Sequence, residues 1–132
     1  MTPSASSGIV SIPSGYPFAD TVQRLLSAFA SHGLKVFASI DQRAEALAVG
    51  LTMPPTTLLI FGNPKAGTQL MVQQPLCALD LPLKALVTES TPGEVMVSFN
   101  TAHYIVQRYS LPTELSNNLT RAEHLIASTL AK

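Results

Sequence analysis

The sequence predicts an α+β fold: one compact domain, a single mixed or antiparallel sheet of about five strands, and helices packed against it. Three observations lead there. Short β-like runs are interleaved with apolar stripes at helical spacing. Two of those runs, Leu83–Thr88 and Glu94–Phe99, flank Ser90-Thr91-Pro92-Gly93 as in a hairpin. The length, 132 residues, suits one domain that buries about two-thirds of its unfolded surface.

Each element follows from local chemistry. Residues 1–7 are small and polar and are expected to fray, which leaves 8–132 as the domain. Ile9-Val10-Ser11-Ile12 reads as a first strand. After Ser14-Gly15, Pro17 fits a first helical turn, where its missing N–H costs nothing. Phe18, Val22, Leu25, Leu26 and Phe29 form one helical face, and Gly33 stands where a left-handed cap ends such a helix. Lys35–Ile40 reads as a strand, and Asp41 as the N-cap of a helix from about Gln42 to Val49, closed by Gly50.

Thr57–Phe61 is apolar on both faces, which predicts an interior strand. A helix is expected from about Pro64 to Gln74, stopped by Pro75, and then a tight loop over Leu76–Pro82. Beyond the hairpin, Asn100 is the expected cap of a helix reaching Tyr109. A last helix spans about Pro112–Leu130, with Leu115, Leu119, Ala122, Ile126 and Leu130 on one stripe.

Composition excludes several function classes. The formal net charge is +0 and no basic cluster exists, which argues against nucleic acid and against an anionic membrane surface. The single cysteine, Cys77, allows no internal disulfide. His32, His103 and His124 lack ligand spacing, so no metal site and no cofactor is expected. The first residues resemble no signal peptide and no run is long enough to span a bilayer, so the expectation is a cytoplasmic protein.

The segment Thr56–Lys84 carries the candidate site. An apolar strand halts at Gly62, Asn63-Pro64 begins a helix, and Gly67-Thr68 follow within a turn. Helix N-termini offer free N–H groups and a positive dipole end, and Lys65 adds a charge, so the pattern suits an anion. It is not a nucleotide P-loop, because Thr68 stands where that motif requires lysine after the second glycine. Asp80 and Lys84 are expected beside this loop as a charged pair. The candidate ligand-binding set is therefore Gly62, Asn63, Lys65, Gly67, Thr68, Asp80 and Lys84. The blander account makes Gly62 a tight turn, Asn63 a cap, Gly67 a packing residue and Asp80 a turn residue.

The strings Ala48-Val49-Gly50-Leu51, Pro55 through Thr68, Leu70-Met71, Leu79 through Lys84 and Val97-Ser98-Phe99-Asn100 resemble the domain of unknown function 302 family, found mostly in bacteria and archaea. The resemblance implies a compact α+β domain paired as a homodimer, and it implies no reaction. Two departures matter. Members often carry histidine after the aspartate, where this chain has Asp41-Gln42, and Gln42 cannot titrate near neutral pH. Cys77 stands where the family tolerates small residues, so its thiol does not look catalytic.

The leading expectation is a homodimer that binds a small anionic or polar ligand or a partner protein, without catalysis. One alternative is an enzyme acting on a small phosphorylated or carboxylated substrate, with Asp80 or Asp41 as general base. The other is a structural or assembly module that pairs through the apolar face of the first or last helix.

Overall fold

The computed structural model describes residues 7–132. The residues expected to fray therefore lie, apart from Ser7, outside the described residues. Five strands form one sheet in the order β1-β5-β4-β3-β2, and every neighbouring pair is antiparallel. The strands are β1 (Ile9–Pro13), β2 (Lys35–Asp41), β3 (Thr56–Gly62), β4 (Leu83–Thr91) and β5 (Glu94–Asn100). Between them lie α1 (Phe18–Ser31), α2 (Gln42–Ala48), α3 (Pro64–Gln73), α4 (Ala102–Tyr109) and α5 (Asn117–Leu130). The β1–α1–β2 connection crosses from one sheet edge to the other, so α1 lies over the sheet. Gly15 N–H donates to the Leu130 carbonyl at 2.9 Å, which fixes the start of α1 beside the end of α5.

The main core sits between one sheet face and α1 with α5. Leu25 and Phe29 of α1 meet Leu59 and Phe61 of β3, Ala85 and Val87 of β4, and Ile126 and Leu130 of α5. The Phe29 and Phe61 rings stack with centroids 3.9 Å apart. A smaller core gathers Leu70 of α3, Cys77 and Leu81 of the following connection, Ile105 and Tyr109 of α4, and Leu119 of α5. The helical stripes offered as interfaces for an assembly module are therefore interior: Phe29 is 0% exposed and Ile126 is 1% exposed. The exposed large apolar residues lie elsewhere, among them Leu47, Val49 and Leu51 near the end of α2 and Val72, Leu76 and Leu79 around the end of α3.

Several boundaries depart from the sequence reading. Asn100 ends β5, and the cap of α4 is Thr101, whose hydroxyl accepts from the Tyr104 N–H at 3.1 Å. Glu123 of α5 accepts from the Ala102 N–H, so α5 also helps to cap α4. The last helix is broken: a 3-10 turn over Thr113–Leu115 precedes α5, and Ser116 donates its hydroxyl to the Thr113 carbonyl at 2.6 Å. That local bond competes with helix continuation. The loop after α3 contains a 3-10 turn, Pro75–Leu79. The hairpin runs longer than expected, to Thr91, with a register irregularity between Thr88 and Thr91.

Candidate functional site

The two cores meet along a seam, and the seam is where the chain leaves a groove. It holds about 550 Å³ of space, partly open to solvent. One wall is the turn from β3 into α3, with Gly62, Asn63 and Gly67, continued by Leu70 and Met71. The opposite wall is Leu81-Pro82-Leu83, joined by a cis Leu81–Pro82 peptide. Asn118, Leu119 and Ala122 of α5 form the floor. Phe37, 45% exposed at an irregularity in β2, stands on the rim with Leu34. The lining is almost wholly apolar.

The wall from Gly62 is built by sequence-local rules. Asn63 accepts from the Ala66 N–H at 3.1 Å through its side chain, and Pro64 fills the first helical position. This is the expected N-cap with proline at N1. Gly62 is buried, and a Cβ there would lie 3.5 Å from Pro82 Cβ. A bulkier side chain would close the groove between its two walls. A Cβ at Gly67 would meet only Met71 Cε, at 3.9 Å.

The amide supply for an anion is smaller than the sequence pattern suggested. Pro64 has no N–H. The Ala66 N–H goes to the Asn63 side chain, and the Gly67 N–H to the Asn63 carbonyl at 2.8 Å. Among the described residues, that leaves the Lys65 N–H as the one uncommitted amide of this first turn. The Lys65 side chain is exposed, lines no part of the groove and makes no ion pair among the described residues. Thr68 is exposed and donates its hydroxyl to the Pro64 carbonyl at 2.7 Å.

The expected Asp80–Lys84 pair does not form. Asp80 Oδ2 accepts from Tyr109 Oη at 2.6 Å and from Arg108 Nη1 at 3.0 Å. Lys84 is exposed on β4, registered against Ile60, on the sheet face opposite Ala85 and Val87. The structure therefore brings Gly62, Asn63 and Gly67 together on one wall. It leaves Lys65 and Thr68 on the same turn without lining the groove, and it places Asp80 and Lys84 elsewhere.

Asp80 instead anchors the connection between α3 and β4 to α4. Its hydrogen bond, with burial second, holds the Tyr109 phenol above its ordinary value. Cys77, wholly buried nearby, is pushed up mainly by burial and also by the Asp80 charge, the reverse of what an activated thiol needs. Asp41 caps α2 by accepting from the Ala44 N–H at 2.9 Å and is exposed. Among the described residues no cluster of His, Cys, Asp and Glu could hold a metal ion.

Leu119, Ala122, Asn118, Pro82 and Phe37 were not legible as groove residues. Leu119 and Ala122 were visible only as part of the last helix's apolar stripe. Nothing local marked that they reach the seam.

The fold and the groove define a small α+β domain with an apolar recess at a strand-to-helix turn. The sequence matches the family described as "Domain of unknown function DUF302" over residues 10–129, and the chain belongs to that family. It also resembles the crystal structure of an uncharacterized conserved DUF302 protein from Bacillus stearothermophilus, with a TM-score of 0.77 and 18% identity, covering 93% of this chain and 95% of that one.

Among curated proteins, it is 41% identical over 105 residues to "Fluoride-specific ion channel FluC 1" of Brucella suis biovar 1, which is 80% of this chain and 41% of that protein. The protein of the same name from Brucella abortus biovar 1 is also 41% identical over 105 residues, 39% of its length. The chain thus spans about two-fifths of those curated relatives. Among its described residues no helix is long and apolar enough to cross a membrane.

Proposed function

We propose that the chain is a binding domain without catalytic chemistry, and that the groove between Gly62–Met71 and Leu81–Leu83 receives a small amphiphile. The observation that carries this reading is the almost wholly apolar lining of a recess open to solvent at one side, which favours the apolar body of a small organic ligand. An inorganic anion would find few partners on these walls. The ligand's bulk is therefore apolar, and one acidic end projects out of the groove toward the N-terminal turn of α3, beside Lys65, whose ammonium adds attraction from solvent. Gly62, Asn63 and Gly67 shape the wall. Asp80 and Lys84 take no direct part.

Medium-chain fatty acids such as octanoate are the probe. Gly67→Leu places a side chain from the half-buried first turns of α3 into the groove, and it is expected to abolish saturable octanoate binding in calorimetry while the circular dichroism spectrum stays unchanged. Octanoate binding undiminished in that variant contradicts the assignment.

The homodimer that the family resemblance implies forms part of this proposal. Catalysis with Asp41 or Asp80 as base draws no support from the geometry, since one carboxylate caps a helix and the other is shared by Tyr109 and Arg108. The channel activity in the names of the Brucella proteins does not pass to this chain, which spans about two-fifths of their length.

A further inference from the structure

The sheet has a second face, and among the described residues no helix covers it across β1, β5, β4 and β3. Both shallow depressions on that face are lined by strand residues alone. Strand parity puts Leu58 and Ile60 of β3, Leu86 of β4 and Met96 of β5 there, with their neighbours Leu59, Phe61, Val87 and Val97 turned to the core. All four are half-buried, and Leu58 is registered against Leu86. Two of the polar groups there satisfy each other: Ser11 and Ser98 share a hydroxyl hydrogen bond of 2.7 Å. The middle of this face can therefore lose its water without orphaning those hydroxyls.

Charge sits at its two ends. Lys84 marks one end of β4, and Glu94 the opposite end of β5, on the same face. Both are exposed, and neither makes an ion pair among the described residues.

We propose that this face is the surface on which a second copy of the chain packs, sheet on sheet. A two-fold axis running across the strands brings the Lys84 end of one sheet over the Glu94 end of the other, so two opposite-charge contacts flank an apolar middle. An axis along the strands would set Lys84 over Lys84, which repulsion disfavours. The charge pattern thus selects one arrangement. The inference rests on the homodimer reading above and adds its surface.

Four strands about 4.8 Å apart and about 17–24 Å long give a footprint of roughly 330–460 Å² per copy. That lies below standard-size interfaces and in the range of weak, transient ones, so the expected dimer is weak and concentration-dependent, in the micromolar range or above.

Sedimentation velocity over about 1–300 µM tests this, with circular dichroism as a fold control. The wild-type chain is expected to self-associate. Leu86→Arg and Lys84→Glu should each weaken association about tenfold or more, and Lys84→Glu combined with Glu94→Lys should restore it to within a few-fold. A wild-type chain that stays monomeric throughout overturns both the pairing and the surface. A dimer that Leu86→Arg and Lys84→Glu leave intact keeps the pairing and overturns this surface. Should Leu86→Arg unfold, the exposed Lys84 and Glu94 exchange decides alone: failure of the double variant to recover association overturns the proposal.

Discussion

At the scale of single residues, the groove wall depends on two adjacent kinds of economy. Asn63 spends its side chain on the Ala66 N–H, so Asn63→Ala should cost about 1 kcal/mol in urea unfolding, the usual worth of such a cap. Gly67 lies inside α3 with only Met71 Cε near its missing side chain, at 3.9 Å. Gly67→Ala should therefore stabilise the fold by about 0.5–1 kcal/mol, because alanine costs less conformational freedom in a helix than glycine. A destabilised Gly67→Ala protein would show that the turn needs glycine for a reason the packing does not reveal. Gly8 is the opposite case: its φ is +76°, and a Cβ there would stand 2.3 Å from the Tyr104 ring. Substitution at Gly8 should be far more damaging than at Gly93, whose φ is +85° but where a Cβ meets nothing within 4 Å.

Cys77 gives a pH prediction with a definite sign. Its thiol is raised above the ordinary 9.0 by burial and by Asp80. The unfolded chain then ionises first as pH rises, and above about pH 9 it binds fewer protons than the folded chain. The contribution is fully present below the unfolded value and is lost as pH climbs from there through the folded value. Tyr109, raised from 10.0 by its bond to Asp80 and by burial, acts in the same direction slightly higher. Urea midpoints should thus fall as pH rises above about 9 in the wild type, and the early part of that fall should shrink in Cys77→Ala. An unchanged slope in Cys77→Ala would assign the fall elsewhere.

At the scale of elements, the sequence was most legible where a local rule decides the outcome. Asp41 and Asn63 announced their caps, the Phe18–Phe29 stripe announced α1, and the doubly apolar β3 announced an interior strand. Lys84 was also legible in principle: it precedes Ala85, which faces the core, so the two-residue period of a strand sends it to the other face, away from the groove. What could not be read were partnerships across long stretches of chain. Asp80 lies 28 residues from Arg108 and 29 from Tyr109, and no local pattern links them. The break before α5 was hidden because Thr113–Ser116 continues the helical stripe while its backbone is held by a serine hydroxyl.

The Asp80 contacts hold the Pro75–Leu83 connection against α4. Asp80→Asn should therefore speed amide hydrogen exchange across Cys77–Leu83 and raise the reaction rate of the buried Cys77 thiol with a disulfide reagent. Protection unchanged across that stretch would show that the apolar contacts of Leu81 and Cys77 suffice to hold it.

At the scale of the whole molecule, one sheet serves two ends. One face, packed on α1 and α5, supplies most of the core. Phe61, 1% exposed and stacked on Phe29, stands at its centre, and Phe61→Ala should cost about 3–5 kcal/mol. The other face is the one proposed for a second copy, and the groove opens where the main core gives way to the smaller one. On these two proposals binding and pairing use different surfaces, so each can be removed without the other.

The most direct test of the account is an amide-resolved NMR titration of the protein with octanoate. The account predicts saturable shifts concentrated at Gly62, Asn63, Lys65, Gly67 and Leu83 and on α5 at Leu119 and Ala122, all absent in Gly67→Leu. Shifts that do not saturate, or that gather away from these residues, would contradict it.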